Sequence, residues 1–167
     1  MSIKPVYFSK MNESEYNMFC EGTLKRYAED LIRVGYSEVD DALQRAQEDF
    51  DKVFPQGFST PDDTRFYSIL NNKDDVIGGL LVLKAQEYVA AIADFIIYAA
   101  YRGKGYGLQA LKAMEEELKQ DGYKAIILSA FEDNIAAKAL YEKFGFIDEP
   151  KAYDAARKSH LMVKRFQ

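Results

Sequence analysis

Tyr101-Arg102-Gly103-Lys104-Gly105-Tyr106-Gly107 is the stretch whose residue types and spacing could do chemistry. It lies between an apolar run, Ala90 to Ala99, and a helical pattern that starts near Leu108. Glycines at alternate positions let a backbone approach a ligand closely and turn its N–H groups one way, and a helix that follows adds its partly positive N-terminus. The natural ligand of such a loop is a phosphate, and Arg102 and Lys104 place full positive charges beside it. Spacing separates the kinds of phosphate loop. A dinucleotide-binding loop needs glycine at positions one, three and six, and six residues from Gly103 stands Leu108; a nucleoside-triphosphate loop needs Gly-Lys-Ser/Thr after its first glycine, which no stretch supplies. What remains is Arg-x-x-Gly-x-Gly at Arg102, Gly105 and Gly107, to be weighed against a glycine turn that binds nothing.

A second stretch, Asn134-Ile-Ala-Ala137-Lys-Ala-Leu140-Tyr141-Glu-Lys-Phe-Gly145-Phe146, follows the loop by one strand. The two stretches, in this order, resemble the two signatures of the GNAT superfamily of N-acetyltransferases, over about Val76 to Phe166 and only loosely before that. The resemblance implies a mixed α/β fold: a central antiparallel and parallel sheet flanked by helices, with a splay between the fourth and fifth strands. It also implies acetyl-CoA as co-substrate, transferred directly to an amine in a ternary complex. The CoA pyrophosphate would rest on the backbone from Gly103 to Gly107, Tyr106 included, near Arg102 and Lys104. Pantetheine would run into the splay, with the N–H near Ile97 polarising the thioester carbonyl. Tyr141 matches the family's general acid for the departing thiolate, and Asn134 a CoA contact. The rival reading is an acyl-CoA-binding regulator that has lost turnover, against which the retained Tyr141 counts.

Each of these residues also has a plainer reading. Asn134 suits the N-cap of its own helix, and both roles are compatible. Tyr141 falls on that helix's apolar stripe and could be a core tyrosine. An amine acceptor must lose a proton, since an alkylammonium with a pKa of about 10 has no free lone pair. Asp94 is the candidate base because a carboxylate within Ile92 to Ile97 is expensive to bury unless paired or used, and a structural carboxylate bound by a tyrosine or a loop N–H is the alternative. Glu87, at a strand edge, is a second candidate. Cys20 reads as a small buried apolar residue.

The elements that must position these groups follow from periodicity. Val6 to Ser9 reads as a strand, and Asn12 or Ser14 as the cap of a helix with apolar Tyr16, Phe19, Cys20, Tyr27, Leu31 and Ile32, ending at Gly35. Ser37 opens a second helix with Val39, Ala42, Leu43, Ala46, Phe50 and Val53 in one stripe, up to Pro55. After the turn-rich Gln56 to Asp63, Arg65 to Leu70 and Val76 to Lys84 form a hairpin, with Gly78-Gly79 marking a bulge or a close backbone approach. Tyr88 to Tyr98 is near-continuously apolar, the pattern of a strand covered on both faces. A helix from Gly107 to Gly122 and a strand from Lys124 to Ala130 complete a crossover with a parallel pair. The Asn134 helix buries Ala137, Leu140, Tyr141 and Phe144, and Phe146 onward pairs with Ser159 to Phe166.

The 167 residues suit one domain with one core, and 48% hydrophobic with 29% charged residues are ordinary globular values. No apolar run is long enough to span a bilayer and Met-Ser-Ile-Lys-Pro-Val is no signal peptide, so a cytoplasmic protein without a membrane partner is expected. One cysteine and one histidine leave no disulfide and no zinc pattern, and no metal is implied. A net charge of −5 argues against a nucleic-acid partner. Met11 to Phe54 carries eleven Asp/Glu and five Lys/Arg, net −6, and the remainder is +1. Such a segment favours a cationic acceptor, a small molecule or a peptide amine, unless its charges are only solvated outer faces. Neither the acceptor nor the oligomeric state, monomer or homodimer, is written in a motif.

Overall fold

The computed structural model describes residues 5–60 and 63–167. The chain builds one seven-stranded sheet in the order β1-β2-β3-β4-β5-β7-β6 from β1 (Tyr7–Lys10), β2 (Arg65–Leu70), β3 (Val76–Gln86), β4 (Val89–Ile97), β5 (Ala125–Phe131), β6 (Ile147–Asp148) and β7 (Ser159–Arg165). Every neighbouring pair is antiparallel except β4 and β5. Helices α1 (Glu13–Arg33), α2 (Ala42–Val53), α3 (Tyr106–Gln120) and α4 (Ile135–Phe144) flank it. α3 is the crossover between β4 and β5, as the apolar periodicity expects.

The core lies on both faces of the sheet. One face packs Ile69, Ile77, Leu80 and Val82 against Leu111, Met114 and Leu118 of α3, and the other packs Leu81 and Phe66 against Tyr16, Phe19 and Cys20 of α1. Asn12 caps α1 through a full capping box with Glu15, so of the two expected caps it is Asn12 that serves. Gly78-Gly79 is a close approach: a Cβ on Gly79 would stand 2.0 Å from the Phe19 ring, and one on Gly78 2.0 Å from the Ile96 carbonyl oxygen.

Three expectations change. The second helix starts at Ala42, not Ser37, with no side-chain cap, and only Ala42 and Ala46 of the expected stripe are buried while Val39 and Leu43 stand exposed. Ala42 and Ala46 of α2 pack on Leu31 and Ala28 of α1, a narrow strip of small residues, while Phe50 reaches the core under Phe66 and Leu81. α4 buries none of its residues completely; Leu140, Tyr141 and Phe144 are half-buried against the main core. The second half of β4 is likewise only half-buried, not covered on both faces. Both departures have one cause: β4 and β5 pair only through Val89–Ala91 and Ala125–Ile127, whereas β5 keeps all seven pairs with β7. Beyond Ala91 the two parallel strands part, and α4 stands beside the gap. Of the turn expected from Gln56 to Asp63, residues 61 and 62 lie outside the described residues.

Candidate active site

The glycine stretch sits at the carboxyl end of β4, where the sheet splays. A short 3-10 turn at Ala99–Tyr101 leads into it, and α3 begins at Tyr106, one residue before the expected start. Gly103 and Gly105 have φ of +74° and +86°, values that glycine adopts without strain, and Gly105 is the N-cap of α3. No N–H from Gly103 to Gly107 finds an acceptor among the described residues, so five consecutive donors are unpaired at a helix N-terminus. That is a nest for an anion. The glycines differ in purpose: a Cβ on Gly103 or Gly105 would meet no protein atom, while one on Gly107 would press against the Leu140 side chain at 3.0 Å. Gly107 lets α3 and α4 pack closely, and Gly103 and Gly105 leave the nest open.

The two cations expected near the phosphate each bond a backbone carbonyl at the loop. Arg102 donates from Nε to the Ile97 carbonyl at 2.7 Å, and Lys104 from Nζ to the Ala100 carbonyl at 3.2 Å while lying over the Tyr101 ring. Both charges brace the loop and raise the positive potential at the nest, and Arg102 lines the cleft beside its glycines.

The edge of β4 that faces the gap can be read from its pairing. Tyr98 donates its N–H to Ile77 of β3 at 2.8 Å. Alternation along the strand therefore turns the peptide groups of Ile97 and Phe95 toward the gap, where β5 no longer reaches them. Ile97, expected to present its N–H there, does so, and its carbonyl is the one that Arg102 holds. Register slips between Leu81 and Val82, which leaves Ala93 as an extra residue on β4, a bulge that bends the strand where the gap opens.

Tyr141 and Asp94 come to this gap from opposite faces of the sheet. Tyr141, on α4, lies edge-on to Phe146 at 5.7 Å, and among the described residues no hydrogen bond involves its hydroxyl; the buried side-chain group left without a partner there is the Tyr16 hydroxyl. Burial, with the nearby Asp94 charge adding to it, pushes its pKa up to about 12, so the phenol keeps its proton. Asp94 is engaged on three sides. Its Oδ2 accepts from Thr23 Oγ1 at 2.6 Å and from Arg26 Nη2 at 2.7 Å, and its Oδ1 from the Phe95 N–H at 3.0 Å. The partner expected for a structural carboxylate was a tyrosine or a loop N–H; an arginine, a threonine and a strand N–H take that place. Four lone-pair sites with three donors leave one free direction, on Oδ1.

Asn134 caps α4, accepting from Ala137 N at 3.2 Å, and its helix-facing oxygen is thereby spent. Glu87 is corrected: it lies in the exposed turn before β4, roughly 30 Å from Ile97 by the rise of the strand, and does not line the cleft. Cys20 is buried on α1, and burial pushes its thiol up to about 11, as befits a packing residue.

A cleft of about 1190 Å³ joins these groups, running from the glycine loop through the gap to the α1–α2 side. Its far wall is the part that the sequence reading missed. Thr23, Arg26, Tyr27 and Asp30 recur at three- and four-residue spacing on α1 and line the cleft, opposite Asp49 of α2 and Arg157 of the β6–β7 loop. The signal was present in the sequence as a polar stripe beside α1's apolar one, at helical period. Most acids of this wall are matched: Asp94 by Arg26, Asp49 by Arg157, Asp30 by Arg33, which also holds Asp133 beside the α4 cap. Glu29 lines the cleft without an ion pair among the described residues.

The class of protein to which this splayed mixed sheet and its anion nest belong is given by comparison with known proteins. The model of the acetyltransferase (GNAT) family matches residues 25–146, and the chain belongs to that family of acetyltransferase enzymes. It is 32% identical over 144 residues to the uncharacterized N-acetyltransferase YycN of Bacillus subtilis (strain 168), covering 84% of this chain and 92% of that protein. The crystal structure of YycN superposes with a TM-score of 0.81 at 31% identity, over 86% of this chain and 93% of that one. A shorter segment is 47% identical over 53 residues to the spermine/spermidine N(1)-acetyltransferase of the same strain, 31% of this chain and 35% of that protein. A GNAT family acetyltransferase from Elizabethkingia anophelis, solved with acetyl-CoA bound, shares the fold with a TM-score of 0.56 at 16% identity, over 72% and 83% of the two chains.

Proposed function

We propose that the protein transfers the acetyl group of acetyl-CoA directly to a primary amine, and that the amine is cationic. The observation that carries the chemistry is the unpartnered, protonated Tyr141 hydroxyl at the mouth of the β4–β5 gap, with five free N–H donors at one end of the cleft and Asp94 on its other side. The pyrophosphate rests on the N–H groups of Gly103 to Gly107, and the pantetheine arm lies along β4 in place of the missing β5 pairing. The Ile97 N–H polarises the thioester carbonyl. The amine attacks that carbon, forming the new C–N bond; the C–S bond breaks, and Tyr141 gives its proton to the leaving thiolate. Before the attack the free lone pair of Asp94 Oδ1 takes one proton from the ammonium, with Arg26 and Thr23 holding the carboxylate still; after it the second proton leaves the nitrogen for the tyrosinate of Tyr141, which restores the acid.

A cationic acceptor is supported by the surplus of acid on the α1–α2 unit, by the unpaired Glu29 on the cleft wall, and by the named activity of the spermine/spermidine relative. The deciding experiment measures thiol release from acetyl-CoA with spermidine, lysine, an amino-terminal peptide and buffer alone. Turnover above buffer with spermidine supports the reading, turnover with the neutral-side-chain peptide only would remove the cationic acceptor, and no turnover with any amine would remove the transfer.

A further inference from the structure

The loop from Glu149 to Lys158, between β6 and β7, carries little secondary structure: a 3-10 turn at Pro150–Ala152 and one bridge between Asp154 and Ser159. Among the described residues one side chain makes every hydrogen bond and ion pair from this loop to the α1–α2 unit. Arg157 Nη2 donates to both oxygens of Asp49 at 3.0 and 2.9 Å and to the Tyr36 hydroxyl at 3.1 Å. Its Nε donates to the Tyr27 hydroxyl and to Asp49, each at 3.1 Å, and Nη1 turns back to Asp154 at 3.3 Å. The guanidinium also lies 4.3 Å from the centre of the Tyr36 ring, and the Tyr27 hydroxyl donates to Asp49 at 2.7 Å. A planar fork with five donors can serve all these acceptors at once; an ammonium cannot.

Arg157, Asp49, Tyr27 and Asp154 all line the cleft, on the side away from the glycine loop and α4. We propose that Arg157 is the positioning residue of the acceptor wall: it fixes the β6–β7 loop against α1 and α2, and so sets how the amine is held without touching the acetyl-CoA half. This rests on the transfer reaction proposed above. Its side chain is three-quarters covered, so removing either partner leaves the other charge partly desolvated and unpaired.

The test uses Arg157→Lys, which keeps the charge and loses the fork, beside Asp49→Asn and the double variant. With spermidine as acceptor, Arg157→Lys should raise the KM for spermidine by about tenfold or more, with kcat and the KM for acetyl-CoA within about threefold. Asp49→Asn should do the same, and the double variant should be no worse than the worse single one, since both remove one tie. An unchanged spermidine KM in a folded variant, or equal changes for both substrates, would overturn the proposal. If the wild-type protein acetylates no amine, the transfer reading fails separately, and hydrogen exchange still decides the tie. Faster exchange at Asp154 and Ser159 in Arg157→Lys, with Gly103 to Gly107 unchanged, supports it; unchanged exchange at Asp154 and Ser159 overturns it.

Discussion

In the proposed transfer, Tyr141 is the residue on which the chemistry turns. Tyr141→Phe removes one oxygen that has no hydrogen-bond partner and leaves the ring on Phe146, so the melting temperature and acetyl-CoA affinity should hardly move. General acid catalysis contributes about 10² to 10⁴-fold, and kcat should fall by that order where chemistry is rate-limiting. A core tyrosine would instead lose about 1 kcal/mol of stability for a missing hydrogen bond, with kcat within a few-fold. The pH dependence has a definite sign. Because the folded phenol titrates near 12 and the unfolded one near 10.0, the native state binds the proton more tightly. That contribution to stability is complete below pH 10 and disappears as pH rises from about 10 to 12; Tyr141→Phe should make this part of the stability profile, measured by denaturant titration, less steep, the remainder belonging to Tyr16, Tyr27 and Tyr67, which burial also raises. Asp94→Asn behaves otherwise. It leaves Arg26 facing a neutral amide in a half-buried site, so both kcat and the melting temperature should fall, and a variant with lower stability but wild-type kcat would reduce Asp94 to an anchor for α1.

At the scale of elements, three glycines in one loop make separable predictions. Gly105→Val places a β-branched residue at φ +86° and puts a side chain into the anion nest, so acetyl-CoA affinity by calorimetry should weaken by at least about tenfold, or about 1.4 kcal/mol. Unchanged affinity in a folded Gly105→Val protein would remove the nest as the CoA site. Gly107→Ala meets Leu140 at 3.0 Å and should loosen α4 against α3, disturbing Tyr141 more than phosphate binding. Gly79→Ala is the severe case: its Cβ would fall 2.0 Å from the Phe19 ring in a buried contact between β3 and α1, and overpacking of this kind destabilises by about 1–3 kcal/mol. Its melting temperature should drop while the residual folded fraction binds acetyl-CoA normally.

Over the whole molecule the charge is divided unevenly, net −6 on the stretch that forms α1 and α2 and +1 elsewhere. Since most cleft acids are matched by arginines, the proposed preference for a cationic acceptor would act through a long-range field, which salt screens. Raising ionic strength from about 0.1 to 1 M shortens the Debye length from about 10 to 3 Å, so kcat/KM for spermidine should fall steeply while the KM for acetyl-CoA responds differently. A rate for spermidine that ignores salt would leave the acidic surface as a solvated outer face.

The sequence by itself determined the sheet-and-helix order, the loop and the family, because these rest on local rules. Alternate glycines before an amphipathic helix, the period of Leu111, Met114 and Leu118, and Asn12 with Glu15 three residues on each act within a few residues of chain. Tyr141 and Asn134 were legible through the spacing of their motif. The tertiary structure alone decided what stands opposite them. Asp94 finds Arg26 68 positions earlier and Asp49 finds Arg157 108 positions later, and no periodicity records which distant charge will satisfy a buried one. It also decided that Arg102 bonds the Ile97 carbonyl, an acceptor left open by the parting of β4 and β5. The gap lies between the two: the resemblance implied a splay between the fourth and fifth strands, but β4 and β5 both read as continuous, and it is the bulge at Ala93 and the full pairing of β5 with β7 that make them part beyond Ala91.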